Sequence, residues 1–290
     1  MTTLVETPSL TRKARLGAFV RRAFAKPTFI AGFLVVLISV LMALFPQWFA
    51  PYDPLTFDMT AIQQAPSLAH PFGTDNFGRD MLSRVIWAYR VDMQIAFFAT
   101  VFALVIGMSL GALVGYYGGI ADIVFGRTVD AIITFPFLVL VIAIVAVLGP
   151  GLVNMYIAVT AVNWVYYARL TRAEVRTQKT NDYAAAGIVL GFSDRRIIFR
   201  HLLPNISSPL IVYWMTDMAL AILLGSSLGY LGLGAQPPAA EWGVLIAEGR
   251  NFILTAWWMS LTPGLVIVLT GLGFSLLGDA LSDLMRPKGR

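Results

Sequence analysis

Residues 131–168, AIITFPFLVLVIAIVAVLGPGLVNMYIAVTAVNWVYYA, form a run without a single charged side chain. One helix that crosses the hydrocarbon core of a bilayer needs about 20 apolar residues, so this run is long enough for about two crossings. The segment 149–151, Gly-Pro-Gly, interrupts the run near its middle, and such residues favour a turn. The run therefore predicts a helical hairpin, in which one membrane span ends near Leu148 and the next begins near Val153.

The composition of the whole chain is typical of a protein whose main solvent is lipid. Of the 290 residues, 58% are hydrophobic and 13% are charged, whereas a soluble domain carries about 25% charged residues. The net charge of +5 would suggest nucleic acid in a soluble protein, but here the basic residues flank the apolar runs and are better explained by membrane orientation. With no cysteine and two distant histidines, we expect no disulfide, no metal site and no cofactor.

Four more apolar runs predict four more spans, which makes about six. The first covers residues 28–49, and a cleaved signal peptide is the alternative for a run in this position. This run is too long for a signal peptide and lacks a clear cleavage site. The second span covers 93–121, the fifth covers 209–231 with one acid, Asp217, and the sixth lies within 257–279. The predicted fold class is an all-α integral membrane protein.

The distribution of basic residues predicts the orientation of the chain. If the N-terminus is cytoplasmic, 17 of the 21 Lys and Arg residues lie on the cytoplasmic side and 4 on the outer side. Because cytoplasmic loops are enriched in basic residues, we expect both termini inside and an even number of spans. Five spans remain the alternative if the fourth run is too polar to cross, but this count would place the basic C-terminal tail outside.

This topology divides the chain into consecutive segments. The cytoplasmic tails are residues 1–27 and 283–290. Residues 28–92 contain the first span and a long outer loop. The core of the remaining spans is 93–282, and it includes a cytoplasmic segment at 169–204.

The cytoplasmic stretch 181–205, NDYAAAGIVLGFSDRRIIFRHLLPN, predicts two short helices. Asn181 or Asp182 is expected to cap the first helix, because these side chains accept hydrogen bonds from the free N–H groups of a helix start. Gly191 is expected to end it, since glycine tolerates the left-handed conformation found after many helices.

The second helix is expected to start at Ser193 or Asp194 and to end before Pro204. The first helix is small and apolar, so it would be poorly soluble if it were left exposed to water. An exposed apolar helix at a membrane surface indicates a docking site for another protein. The alternative is an amphipathic helix that lies on lipid headgroups.

The same stretch resembles the cytoplasmic signature of binding-protein-dependent ABC permeases, which reads Glu-Ala-Ala, three residues, Gly, nine residues, and a hydrophobic-x-Leu-Pro ending. Here the Gly is Gly191 and the ending is 201–204, HLLP. The triplet falls on 185–187, Ala-Ala-Gly, so the family's Glu is absent. The resemblance implies an ATPase-coupling loop that comprises Asp182, Tyr183, Ala185, Ala186, Gly187, Gly191, Ser193, Arg196, Leu203 and Pro204.

Three further stretches resemble the peptide and nickel branch of that family, and within it the C-type subunits of dipeptide and oligopeptide permeases. They lie in the expected order, and with the coupling loop they extend over most of the chain beyond residue 28. The stretches are HPFGTD and GRDMLSR at 70–75 and 78–84, GYLGLGAQPP and EWG at 229–238 and 241–243, and GDAL at 278–281 before Pro287 and Lys288.

The resemblance implies a type I ABC importer permease in the bacterial inner membrane, with the first span outside a core of five. It implies four kinds of partner: a second homologous permease, two ATPase subunits, an outer substrate-binding protein and membrane lipid. The residues agree that ATP is bound elsewhere, because the chain has no phosphate loop and none of its lysines follows a glycine. Peptides are the expected substrate, and nickel or another small solute is the alternative.

Asp217 is the one acid deep in a predicted span. A carboxylate in the membrane costs at least ~2.5 kcal/mol, so it is expected to face the transport pathway or a polar partner. In the pathway it could contact the amino end of a peptide or relay a proton. The alternative is a carboxylate satisfied by Ser or Thr neighbours at an interface between permeases.

The other candidate pathway or gate residues lie in the outer loops. A network that contacts the binding protein or the outer gate is expected from Arg79, Asp80, Arg84, Arg90 and Asp92. The alternative is a set of exposed ion pairs worth at most ~1 kcal/mol each. Gln236 and Trp242 are candidates in the second outer loop, and for Trp242 the alternative is an anchor at the lipid interface.

Two other classes of function are considered on the residues alone. An ion-coupled secondary transporter typically has broken helices with charges at the midplane and an inverted repeat, and this chain shows one acid and no repeat. An intramembrane enzyme needs paired acids, a Ser/His set or metal ligands within the spans, and the predicted spans contain none. A transport subunit without its own catalytic site is therefore expected.

Overall fold

The computed structural model describes residues 12–285, so predictions for the outer parts of both tails lie outside the described residues. Apart from loops and one isolated bridge between Thr74 and Asp80, the described chain is helical, which confirms the all-α prediction. Its α-helices are α1 (Arg12–Ala23), α2 (Pro27–Leu44), α3 (Met81–Tyr117), α4 (Gly119–Thr134), α5 (Phe137–Leu148), α6 (Leu152–Lys179), α7 (Asp182–Val189), α8 (Asp194–Arg196), α9 (Leu203–Asn205), α10 (Ser207–Tyr230), α11 (Trp242–Gly249) and α12 (Trp258–Met285).

Four of these helices, α2, α3, α10 and α12, are long and apolar enough to cross a membrane by themselves. A fifth crossing is available if α4 and α5 together form one broken span. The expected fourth span corresponds to α6, which has 28 residues and is therefore about 42 Å long, although its composition is more polar. The multi-spanning architecture thus agrees with the prediction from the apolar runs.

The predicted hairpin forms between α5 and α6. Gly149 and Gly151 have φ values of +92° and +140°, which side chains with a Cβ rarely adopt. Asn154 closes the turn by donating from Nδ2 to the carbonyl oxygens of Leu148 and Gly149, at 2.9 and 3.0 Å. The turn predicted from the Gly-Pro-Gly segment is therefore confirmed.

The third span differs from the single helix that was expected. The chain bends by 89° between α4 and α5, at the dipeptide Phe135–Pro136. Proline lacks an N–H group and disfavours a helical conformation in the residue before it, so the helix stops there. The remaining 12 residues of α5 measure about 18 Å, which is less than the ~30 Å of the hydrocarbon core.

α3 packs closely against α6 through small residues. A Cβ atom at Gly107 would clash with the carbonyl oxygen of Trp164, and one at Gly111 would clash with that of Ala168. Helices in lipid associate through such backbone approaches, because lipid is as apolar as the side chains and supplies no hydrophobic drive. Glycines four residues apart on α3 therefore set the distance between these two helices.

The loops gather at two ends of the bundle. The end of the bundle where α3 starts carries residues 45–80 and 231–257, and there Trp258 Nε1 donates to the carbonyl oxygen of Thr74. The end where α3 finishes carries residues 180–206, and there Tyr116 Oη donates to Asp194. The segments predicted to lie outside and inside the cell are thereby separated in space, as the orientation predicted from charge requires.

Gly111→Leu is expected to separate α3 from α6 and to lower the stability of the folded protein by at least ~1–3 kcal/mol, the usual cost of overpacking. The measurement is the thermal unfolding midpoint of the purified protein in detergent, followed by tryptophan fluorescence. Gly271→Leu is the matched control, because a Cβ at Gly271 in α12 meets no atom within 4 Å. Equal midpoints for the two variants would contradict this account of the packing.

Candidate functional site

The predicted coupling segment lies between α6 and α10, beside the end of α3. Asp194 Oδ1 accepts a hydrogen bond from Tyr116 Oη at 2.7 Å, and Lys179 Nζ donates to the carbonyl oxygen of Tyr116 at 2.6 Å. These two contacts attach both sides of α7 to one point on α3. The segment is thus fixed to the membrane bundle rather than loosely tethered to it.

Gly191 forms the turn that follows α7, as predicted. Its φ is +73°, the N–H of Gly191 bonds to the carbonyl of Ile188 at 3.0 Å, and the N–H of Phe192 bonds to that of Gly187 at 3.0 Å. This pair of bonds is the Schellman arrangement, which needs a left-handed residue after the helix. A Cβ at Gly191 would meet no atom within 4 Å, so the requirement for glycine here is conformational rather than steric.

α7 buries one narrow face and exposes the rest. Ala184 and Gly187 pack inward, whereas Ile188, Val189 and Leu190 are 53%, 87% and 70% exposed. Among all the predicted coupling residues, Gly187 and Leu203 are buried, and the exposed ones are Asp182, Tyr183, Ala185, Ala186, Gly191, Ser193, Arg196 and Pro204.

The expected side-chain caps of both short helices are wrong. Asn181 precedes α7 without capping it and instead donates from Nδ2 to Gln178 Oε1 at 2.8 Å. Ser193 precedes α8, also without a side-chain cap, and Asp194 is engaged with Tyr116. Two of the side chains assigned to capping, Asn181 and Asp194, are thus engaged by Gln178 and Tyr116 instead.

The second half of the segment is a stack of side chains on a widened helix. Ile197–Leu202 adopts a π-helical conformation between α8 and α9. The guanidinium of Arg196 lies 3.9 Å from the ring centroid of Phe192, and this ring stacks on His201 at 5.5 Å. π-Helical turns occur frequently at functional sites, and this one leads through α9 into α10.

Asp217 lies inside the subunit, between α10 and α6. Its Oδ2 accepts hydrogen bonds from Asn163 Nδ2 at 2.7 Å and from Tyr167 Oη at 2.6 Å, and the residue is 5% exposed. The carboxylate thus has polar partners within its own chain, although neither is a Ser or Thr. The contact joins the two helices that flank the coupling segment.

The opposite face of α10 is exposed or half-buried along its whole length. The residues on this face, spaced by three or four, are Pro209, Val212, Thr216, Leu220, Leu223, Ser227 and Tyr230. They line a crevice of about 490 Å³ near the coupling segment and one of about 410 Å³ near the outer loops, and Leu220 between these crevices is 50% exposed. We call these seven residues the α10 stripe.

Arg79 and Arg84 form a buried network in the outer loops. Asp75 Oδ2 accepts from Arg79 Nε at 2.6 Å and from Arg84 Nη1 at 2.7 Å, and Glu248 Oε2 accepts from the same Arg84 nitrogen at 2.6 Å. The two arginines are 7% and 2% exposed. The alternative of exposed surface pairs is therefore wrong, and the network ties the first outer loop to α11.

Asp80 has a separate task at the start of α3. Its Oδ2 accepts from the N–H and Oγ of Ser83, both at 2.7 Å, and its Oδ1 lies 2.9 Å from His70 Nδ1. The residue caps α3 and is 3% exposed. Like Arg79 and Arg84, Asp80 is a buried residue that stabilises the conformation of the first outer loop.

Trp242 is fully buried, so it does not lie at the lipid interface. Its Nε1 donates to the carbonyl of Val85 at 3.2 Å, and its ring packs edge-on against Tyr89 at 4.7 Å. Gln236 is exposed and donates from Nε2 to the carbonyls of Gly232 and Gly234, at 3.1 Å each. Both candidates thus shape the second outer loop.

Glu241 caps α11 from a fully buried position. Its Oε1 and Oε2 accept from the N–H groups of Gly243 and Val244 at 2.8 and 2.9 Å. Burial raises the pKa of this carboxyl above its ordinary value, although the two backbone donors act in the opposite direction. A second buried acid, Asp92, accepts from the N–H of Trp242 at 3.2 Å, so both acids hold α11 in place.

Several residues that complete these contacts are not predicted from the sequence. Asn163 and Tyr167 are four residues apart in an uncharged run, and this spacing on one helix face was an available signal. Glu248 gave no such signal, because it lies far in sequence from the arginines that it binds. Only the folding of α11 onto the first loop brings them together.

The chain matches two described protein families. Residues 107–290 match the family described as the inner membrane component of binding-protein-dependent transport systems. Residues 15–66 match the N-terminal transmembrane domain of oligopeptide transport permease C. The match to the N-terminal domain ends at residue 66, and the match to the transport component begins at residue 107.

Curated relatives match nearly the whole chain. The probable D,D-dipeptide transport system permease protein DdpC of Escherichia coli (strain K12) is 40% identical over 90% of this chain and 88% of its own. The dipeptide transport system permease protein DppC of Alkalihalophilus pseudofirmus is 40% identical over 89% and 85%. The glutathione transport system permease protein GsiD of Pectobacterium atrosepticum is 37% identical over 93% and 90%.

The family model matches more than half of the chain, and the relatives are up to 40% identical over most of it. Membership of this family also accounts for the membrane spans and for the predicted coupling segment. The chain belongs to the inner membrane components of binding-protein-dependent transport systems, which are bacterial inner membrane permeases that work with ATPase and substrate-binding partners and are not themselves enzymes.

Proposed function

We propose that this chain pairs with a second, homologous permease and that the α10 stripe lines a peptide pathway between the two. The observation that carries the proposal is the position of α10. Its first residues follow the coupling segment, and its exposed face joins the two crevices. A movement at the coupling segment would therefore reach the pathway through one rigid helix. The N-terminus is taken to be cytoplasmic, in line with the basic residues.

Short peptides are the proposed substrate. The relatives are named for dipeptide, D,D-dipeptide and glutathione transport, and all three solutes are small molecules with peptide bonds. The α10 stripe has no charged side chain. Its hydroxyl groups at Thr216, Ser227 and Tyr230 can form hydrogen bonds with the peptide groups of a substrate, whatever side chains that substrate carries. It offers no His, Cys, Asp or Glu, which makes nickel the weaker proposal.

The exposed surface of α7 is the proposed docking site for the ATPase. Ile188, Val189 and Leu190 supply the apolar contact area, with Ala185 and Ala186 beside them. Because the family's Glu is absent here, apolar contact takes the main share of the docking energy. Arg196 and Ser193 lie on the exposed side of the next turn and extend the same surface. Closure of two ATPases on ATP would move α7, and the Tyr116 and Lys179 contacts would pass the movement to α3.

Leu223→Trp is expected to narrow the outer crevice and to reduce the uptake of tripeptides more than that of dipeptides. The measurement is accumulation of labelled peptides by cells that express the complete transporter and lack other peptide importers. Val147→Trp is the control, because Val147 on α5 is 86% exposed and lies away from both crevices. Unchanged uptake of both sizes by Leu223→Trp would contradict the pathway, and accumulation of Ni²⁺ without any peptide would contradict the substrate.

Cysteines placed at Ala185 or Val189 are expected to cross-link to cysteines in the assembled ATPase, since the chain has no cysteine of its own. A cysteine at Ala184 is the matched control, because that neighbour is 2% exposed and faces the bundle. The measurement is the yield of cross-linked product from complete complexes in membranes. Equal yields from the exposed and buried positions, or no product at either exposed position, would refute docking on this face.

Gly191→Val is expected to leave the permease in the membrane at near-normal amounts but to reduce uptake several-fold. A branched residue in the left-handed region costs roughly 1–2 kcal/mol, which tilts α7 without unfolding the spans. Gly191→Asn is the control, because asparagine tolerates this conformation and should retain most of the uptake. Uptake is normalised to permease content in isolated membranes, and normal transport by the valine variant would show that the turn does not set the coupling angle.

A further inference from the structure

An apolar crevice of about 580 Å³ opens between the first span, α2, and α3. Val40 and Leu44 of α2 form one wall, and Met93 and Phe97 of α3 form the other. Val40, Leu44 and Phe97 are 38%, 57% and 42% exposed, so the crevice is open at the side. It is separate from both crevices along the α10 stripe.

The crevice has an ordered floor. Trp214 of α10 and Phe274 of α12 close it from beneath, and Trp214 Nε1 donates to Thr100 Oγ1 at 2.8 Å. The rings of Phe97 and Trp214 lie 5.9 Å apart. A floor held by a hydrogen bond keeps its shape, so the crevice is a formed site rather than a gap between mobile side chains.

One positive charge lies at the mouth of the crevice. Arg90 lines it, is exposed, and forms no ion pair with any described carboxylate. The adjacent acid in the sequence, Asp92, is turned away and is buried against Trp242. The Arg90 guanidinium lies 5.9 Å from the ring centroid of Trp87. The mouth therefore presents a positive charge beside an aromatic ring, with the exposed amide of Gln94 one turn further along α3.

The position of Arg90 along α3 corresponds to the level of the lipid headgroups. The uncharged part of α3 begins at Met93, one turn further on, and tryptophan is typical of this interfacial level. From Arg90 to Phe98 the helix advances about 12 Å, and from Leu44 back to Val36 it descends the same distance. The crevice thus runs from the headgroup level about 12 Å into the hydrocarbon region.

We propose that this crevice binds one phospholipid with an anionic headgroup, whose acyl chain lies on Trp214 and Phe274 and whose phosphate is held by Arg90. The guanidinium can bond to two phosphate oxygens at once. The unpaired charge selects a net negative headgroup over a zwitterionic one, and a basic side chain near the surface is worth about 1 kcal/mol, or about fivefold in binding. The lipid would fill the space between the additional first span and the transport core.

The test uses the complete transporter in nanodiscs of phosphatidylcholine that contain a minor fraction of phosphatidylglycerol. The complexes are transferred to detergent, and retained phosphatidylglycerol is counted by mass spectrometry. The wild type is expected to retain phosphatidylglycerol in preference to phosphatidylcholine, Arg90→Lys to keep most of the preference, and Arg90→Gln to lose it by about fivefold. Val40→Trp, which fills the crevice, is expected to prevent retention of both lipids at this site.

Arg250→Gln is the matched control, because Arg250 is also exposed and basic at the outer end but does not line this crevice. Equal retention by Arg90→Gln and Arg250→Gln would overturn the proposal, and so would wild-type retention by Val40→Trp. Displacement of the lipid by excess inorganic phosphate would show a simple anion site instead. A loss of peptide uptake by Arg90→Gln that is equal in nanodiscs with and without phosphatidylglycerol would assign Arg90 to the substrate and would also overturn it.

Discussion

Helices in lipid gain almost nothing from burying apolar side chains against one another, because the lipid tails are equally apolar. The contacts that set this architecture are therefore of two other kinds. Backbones approach closely at Gly107 and Gly111, and buried polar groups bond between helices, as Asp217 does with Asn163 and Tyr167. A carboxylate inside the membrane is costly unless it is satisfied, so its two donors specify how α10 sits on α6.

The same reasoning explains the outer end of the bundle. Arg84 bridges Asp75 and Glu248, and Glu241 and Asp92 hold α11 by its free N–H groups and by the Trp242 backbone. A buried ion pair is a weak source of stability, because desolvation opposes the attraction. Its value here is in fixing one arrangement of two loops that have little regular structure of their own. The outer loops thereby become an extension of the helical bundle.

What remains exposed is as informative as what is buried. α7 leaves its apolar residues in contact with solvent, the α10 stripe runs along one side, and the crevice at Arg90 opens on another. These are the surfaces at which we propose three kinds of contact: a protein partner at one end, a solute and a second permease along α10, and a lipid beside the first span. The helix that follows the coupling segment is also the one that carries the stripe, so a single element connects the first two.

The sequence by itself determined that the chain lies mainly in lipid, how many long apolar runs it has, where the hairpin turn forms and that a glycine follows α7. Each follows from local chemistry: lipid demands uncharged spans, Gly149 and Gly151 permit a turn, and Gly191 permits a left-handed residue. The sequence also predicted the position of the coupling segment. It did not predict the helix caps correctly, because Tyr116 and Gln178 bond to the side chains of Asp194 and Asn181. Only the tertiary structure decided which way Asp217 faces, that Arg79, Arg84 and Trp242 are buried, and that Arg90 is left unpaired among the described residues. These outcomes depend on contacts between residues that are far apart in the sequence. A local sequence pattern does not specify which distant carboxylate or amide lies beside each group in the folded protein.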